Sequence, residues 1–151
     1  MTKAIYFDMD GTIADFYGVD NWLDYLTNYD TYPYRSARPM FSPSEVETLI
    51  DSLLEQGYRI GIISWCSKGN DKKFNKEIRK AKREWLKEFF PFAHEIHIVA
   101  YGVPKWSLVK PEERQDSILF DDEAQNLEDW EKHGGKAVNA KDILKLIKEM
   151  G

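Results

Sequence analysis

Only one cysteine, Cys66, occurs in 151 residues, so no intramolecular disulfide can form and a reducing, cytoplasmic setting is expected. No apolar run approaches the roughly 20 residues that span a bilayer, and the opening stretch to Asp8 is too short in apolar residues for a signal peptide. The sequence reads as a soluble, unprocessed chain. Basic charge is in deficit: 21 Lys and Arg stand against 26 Asp and Glu, for a formal net charge of −5. That balance argues against a stable nucleic-acid complex, which needs a basic surface to displace counterions. A local lysine and a bound cation can still reverse the field inside one cleft, so a small phosphorylated ligand is not excluded. The three histidines, His94, His97 and His133, have no metal-ligand spacing. No repeat or low-complexity tract is present, and the length suits one domain over residues 1–151.

Five short apolar runs have strand character: Ala4 to Phe7, Tyr58 to Ser64, Glu95 to Ala100, Ser117 to Phe120 and Lys136 to Asn139. Between them lie helical periodicities. Val46, Leu49, Ile50, Leu53 and Leu54 recur at helical spacing between Pro43 and Gly57, and Phe74, Ile78, Ala81, Trp85 and Phe89 mark one face of a longer helix that Pro91 stops. Further helices are expected from Ala124 to His133 and over Ile143, Leu144, Ile147 and Met150. Strands alternating with helices imply an α/β fold, a three-layer Rossmann-like sandwich with a parallel sheet. The segment 13–41 breaks the alternation and is crowded with Phe16, Tyr17, Trp22, Tyr25, Tyr29, Tyr32, Tyr34 and Phe41. Too short for a core of its own, it is expected to form a small lid: a helix around Asn21 to Asn28, then a proline-containing loop.

Ligands of an open α/β sheet gather beyond the carboxyl ends of its strands. The first strand ends in Asp8 and Asp10, and the fourth runs into Asp121 and Asp122. Carboxylates brought that close raise one another's pKa unless a cation joins them, and an oxygen-loving Mg²⁺ matches the donor set.

Asp8-Met9-Asp10-Gly11-Thr12, at the end of strand one, resembles the first motif of the haloacid dehalogenase superfamily, whose phosphatase members carry Asp-x-Asp-Gly-Thr or Asp-x-Asp-Gly-Val. Ser64 after strand two looks like the second motif, Lys105 like the third-motif lysine, and Asp121-Asp122 like the acidic fourth motif. The resemblance spans nearly the whole chain and implies a Mg²⁺-dependent phosphomonoester hydrolase working through an aspartyl-phosphate. Asp8 would be the nucleophile, and Asp10 the acid and then the base, with its carbonyl on the metal. Asp121 would complete the metal site with help from Asp122. Ser64, the amides of Trp65 and Cys66, and Lys105 would bind the phosphoryl oxygens. The opening from Asp8 to Phe16, with Asn126, Trp130, Gly134-Gly135 and Ala137 beside Asp121-Asp122, also resembles the 5'(3')-deoxyribonucleotidase branch. A nucleoside monophosphate substrate is thereby implied, with Phe16 and Tyr17 touching it; another small phosphate ester is the alternative.

Each motif also has a plainer reading. Asp and Gly are ordinary turn residues, and Asp121 or Asp122 could cap the next helix. Lys110 competes with Lys105 for the phosphate, and Cys66 reads as a small buried hydrophobe. The basic run from Lys72 to Lys87 reads as the solvated face of a helix. A phospho-accepting signalling domain uses the same residue types but sets its acceptor on a middle strand, whereas Asp-x-Asp on strand one supplies the second carboxylate that hydrolysis needs. Oligomeric state is not encoded in any of these features.

Overall fold

The computed structural model describes residues 3–150. In chain order the strands are β1 (Lys3–Phe7), β2 (Ala14–Asp15), β3 (Arg38–Pro39), β4 (Tyr58–Trp65), β5 (Glu95–Val99), β6 (Ile118–Asp121) and β7 (Lys136–Asn139). The helices are α1 (Trp22–Thr27), α2 (Tyr32–Ser36), α3 (Pro43–Glu55), α4 (Lys72–Phe89), α5 (Pro111–Arg114), α6 (Ala124–Lys132) and α7 (Ile143–Met150). Five strands form one sheet in the order β5-β4-β1-β6-β7, every neighbouring pair parallel. The expected α/β sandwich is therefore present, and its five strands are those the apolar runs mark.

Alternation along β1 explains the two faces. Ile5 and Phe7 join Ile60 and Ile62 under α3, α7 and the end of α4, while Ala4 and Tyr6 join Ile63 and Leu119 under Trp130 of α6. Strand residues of period two thus feed two separate apolar layers, as a sheet buried on both sides requires. Helix α3 begins with a complete capping box between Ser42 and Glu45 and carries Pro43 in its first turn, which fixes where the helix starts.

The segment 13–41 differs from the expectation in one respect. The helix α1 falls within Asn21 to Asn28, but the proline-containing loop is in fact a second helix, α2, with Pro33 in its first turn. Proline's fixed φ suits a helix start as well as a loop, and here burial of Pro33 and Tyr34 decides between them. The strands β2 and β3 pair antiparallel at the base of this segment. Its buried rings, Phe16 and Tyr34, pack with Cys66, Phe74, Ile78 and Ile98 rather than with a core of their own.

Candidate active site

β1 occupies the centre of the sheet with β4 and β6 on either side, so the residues that end these three strands meet at one edge. Asp8 leaves β1 with its amide still bonded to the Phe120 carbonyl of β6 at 2.9 Å. The chain then turns tightly: the amides of Thr12, Ile13 and Ala14 all point at the Met9 carbonyl. Gly11 takes a positive φ of 82°, and a Cβ on it would collide with the Asp122 carboxylate. Glycine is needed there for both reasons.

Asp8 is buried and accepts hydrogen bonds from Thr12 Oγ1 at 3.1 Å and from Lys105 Nζ at 2.8 Å. The same ammonium reaches Asp121 Oδ2 at 2.8 Å, so one cation bridges the ends of β1 and β6. Asp121 is further fixed by Asn126 Nδ2 at 3.1 Å and by the Glu123 amide at 3.0 Å. Lys105 is only 4% exposed; burial opposes its charge, but Asp8 and Asp121 outweigh burial and raise its pKa. Lys110 is exposed, at the start of α5, so of these two lysines Lys105 is the one that meets Asp8 and Asp121.

One oxygen from each of Asp8, Asp121 and Asp122 lies within 4.8 Å of the others. The pKa of Asp122 is pushed up to about 8 by loss of water around it and by the carboxylates of Asp8 and Asp121. Three carboxyl groups this close repel one another beyond what a single ammonium offsets, and their oxygens are the hard donors that Mg²⁺ takes. The donor set therefore fits a divalent cation held by Asp8, Asp121 and Asp122. The Asp10 carboxylate is not in this group.

Asp10 instead meets a lysine of the basic run expected on the solvated face of a helix. Lys82 of α4 is 1% exposed, and its Nζ donates to Asp10 Oδ2 at 2.9 Å, Ser64 Oγ at 2.7 Å and the Trp65 carbonyl at 2.8 Å. Lys72, Lys73, Lys76, Lys80, Arg83 and Lys87 are exposed as expected, but Lys82 follows Ile78 by four residues and precedes Trp85 by three, which places it inside the buried stripe. A charge within an apolar stripe was the available sign. Burial raises the pKa of Asp10, the Lys82 ammonium pulls it down, Asp8 pushes it up again, and the net shift is upward.

Ser64 is buried at the end of β4 and lies against the first motif through Lys82. The Cys66 amide, one of two expected to face a phosphoryl group, is instead bonded to the Val99 carbonyl of β5 at 2.8 Å; the parallel ladder continues one residue further than the loop was expected to begin. Trp65 stands half-buried with its indole over Lys105, 5.4 Å from Nζ to ring centroid. Asp121 and Asp122 do not cap α6, whose N-cap is Glu123.

A cavity of about 310 Å³ opens above these groups, lined by Asp8, Asp10, Asp121 and Asp122 below and by Phe16, Tyr17, Trp22, Trp65, Lys68 and Tyr101 around its walls. Tyr17 is 54% exposed, whereas Phe16 is 3% exposed and packs edge-on against Tyr17 and tilted against Tyr34. Of the two rings expected at substrate, both line the cavity, but only Tyr17 is substantially exposed. His94, His97 and His133 lie away from the site: His94 Nδ1 accepts the Ile60 amide, His97 meets Glu95, and His133 stacks on Trp106. Among the described residues no helix is long and apolar enough to cross a membrane.

No family model and no curated protein matches this chain. Solved structures do resemble it. It is similar to D,D-heptose 1,7-bisphosphate phosphatase from Burkholderia thailandensis, at 14% identity and a TM-score of 0.60, over 98% of this chain and 97% of that one. It is similar also to a HAD family enzyme from Bacteroides thetaiotaomicron in complex with magnesium and inorganic phosphate, at 12% identity and a TM-score of 0.56, over 92% of this chain and 94% of that one. A third similar structure is L-2-haloacid dehalogenase from Xanthobacter autotrophicus with chloropropionic acid covalently bound, at 11% identity and a TM-score of 0.53, over 91% of this chain and 76% of that one. At these identities the likeness establishes a shared haloacid-dehalogenase-like fold.

Proposed function

We propose that the protein is a Mg²⁺-dependent phosphomonoester hydrolase of the haloacid dehalogenase type that works through a phosphorylated Asp8. One observation carries this reading: two carboxylates two residues apart, Asp8 and Asp10, are held by different buried lysines, Lys105 and Lys82, and so can take different roles. Asp8, fixed by Thr12 and Lys105, attacks phosphorus and forms an aspartyl-phosphate as the ester P–O bond breaks. Asp10, whose pKa is raised, gives its proton to the departing oxygen. It then takes a proton from the water that attacks the phosphoryl group, which releases phosphate and restores Asp8. Ser64 Oγ accepts from Lys82, which leaves its own hydrogen to donate to a phosphoryl oxygen. Asp8, Asp121 and Asp122, with the Asp10 carbonyl, would hold Mg²⁺, and the ion when bound would supply charge neutralisation for the phosphoryl oxygens.

The favoured substrate is a nucleoside monophosphate, with the segment 13–41 as a lid that presents Tyr17, backed by the buried Phe16. Support comes from the rings lining the cavity above Asp8 and from the resemblance of Asp8 to Phe16 to the deoxyribonucleotidase opening. The test is kcat/KM for deoxynucleoside monophosphates against hexose and triose phosphates, in wild type and in Tyr17→Ala. Nucleotides should be preferred at least tenfold, and the variant should lose most of that preference, since stacking on one ring contributes roughly 1–3 kcal/mol. Preference for sugar phosphates would discard the nucleotide and leave the phosphatase standing.

A further inference from the structure

Two loops outside the lid build an aromatic wall on the same cavity, and no motif accounts for it. Trp65, at the end of β4, and Tyr101, just after β5, lie with ring centroids 4.8 Å apart at 57°, and both line the space above Asp8 and Asp10. Neither ring is there by default packing. Trp65 Nε1 donates to the Val103 carbonyl at 2.8 Å, so the indole is pinned to the loop that carries Tyr101. Asn70 grips Tyr101 from the other loop: its Oδ1 accepts the Tyr101 amide at 3.0 Å and its Nδ2 donates to the Tyr101 carbonyl at 3.5 Å. To do so Asn70 adopts a left-handed backbone, φ 51°, which asparagine tolerates better than most residues. The backbone around Tyr101 is thus fixed at both its N–H and its C=O while the residue remains 37% exposed. A large ring held rigidly at the mouth of a cavity, and not buried, gains most when a ligand covers it.

We propose that Trp65 and Tyr101 form the specificity-determining surface of the site and select phosphate esters whose leaving group carries a flat, unsaturated ring. The inference rests on the phosphatase reading and deepens it by assigning the ring to this wall rather than to the lid alone. A cavity of about 310 Å³ lies at the lower end of small-molecule sites, which run from roughly 300 to 1,000 Å³; a phosphoryl group with one or two rings suits it, and a polymer does not. Lys68, from the same loop as Asn70, also lines the cavity and adds attraction for the anionic ester. Tyr101 is the residue to vary, because it sits outside the apolar core and Trp65 does not stand clear of the Lys105 ammonium.

The experiment compares 1-naphthyl phosphate with ethyl phosphate in wild type, Tyr101→Phe, Tyr101→Leu and Tyr101→Ala, with Mg²⁺ present. In Tyr101→Ala the preference for the naphthyl ester should fall about tenfold, through KM and not kcat, and Tyr101→Phe should keep it. Tyr101→Leu, which restores apolar bulk without a ring face, should lose most of it. An unchanged preference in Tyr101→Ala, full retention in Tyr101→Leu, or a loss that falls on kcat equally for both esters would overturn the assignment. If wild type cleaves neither ester, the phosphatase reading fails and this one with it; if it cleaves both and the preference ignores Tyr101, only the wall is wrong.

Discussion

Lys82 has three hydrogens to donate and three acceptors in reach, Asp10, Ser64 and the Trp65 carbonyl. Saturated in this way, it is a positioning residue: it aims Asp10 and leaves the Ser64 hydrogen free for substrate. Replacing it with methionine keeps the length and apolar stem but frees both side chains. We expect Lys82→Met to fold and to lose at least about 100-fold in kcat, the low end of what a correctly held general acid contributes. Lys82→Arg should recover little, since a planar fork cannot reach three acceptors arranged around one nitrogen. Steady-state rates on an aryl phosphate, beside a thermal melt, decide it; a wild-type kcat in folded Lys82→Met would remove the residue from the site. Asp8, Asp10, Ser64, Lys105, Asp121 and Asp122, which the structure brings together, could be singled out from sequence because all but Lys105 adjoin a strand end and Lys105 follows the turn Gly102-Val103-Pro104. Lys82 is the harder case, because a helix of eighteen residues rich in lysine looks solvated unless each lysine is placed against the stripe. Tyr101 was equally hidden, since a ring in a short loop has no periodicity.

At the scale of elements, the main strands and helices were legible because burial on both faces writes continuous apolar runs and burial on one face writes a stripe of period 3.6. α2 was not, because Pro33 reads equally as loop or as helix start. The edge strand β5 carries its own polar fastening. Glu95 Oε1 accepts from Tyr6 of β1 at 2.8 Å and from Arg59 of β4 at 2.9 Å, and its Oε2 meets His97 at 3.1 Å, so one carboxylate ties three adjacent strands. Burial opposes its charge, but hydrogen bonds from His97, Tyr6 and Arg59 outweigh burial and hold it below the usual glutamate value; the Tyr6 hydroxyl, desolvated and donating to it, is pushed up to about 12. A carboxyl depressed on folding stabilises above its unfolded pKa, about 4.3, and loses that contribution as pH falls through its folded value. Glu95→Gln should therefore cost roughly 1 kcal/mol at pH 7 and progressively less as pH falls below the unfolded value toward pH 3. Urea titrations of both proteins at the two pH values measure it, and a difference that persists undiminished in acid would show that packing, not charge, joins these strands.

Over the whole molecule, a net charge of −5 is compatible with the proposed anion site because the two most buried lysines, Lys82 and Lys105, both meet its carboxylates. The strand order β4-β1-β6 brings together residues nearly a hundred positions apart in sequence, Asp8 and Lys105 among them. Order of motifs along the chain told which residues would meet; the sheet shows how, by setting β1 between its two neighbours. The most direct test is phosphate release from an aryl phosphate by wild type and Asp8→Asn, each after EDTA treatment and again with Mg²⁺ restored. Wild type should be active only with Mg²⁺, and Asp8→Asn, isosteric and folded, should fall several powers of ten below it with Mg²⁺ restored and show no activity without it. Wild-type-like hydrolysis by Asp8→Asn, or full activity in verified metal-free enzyme, would contradict a Mg²⁺-dependent reaction through Asp8.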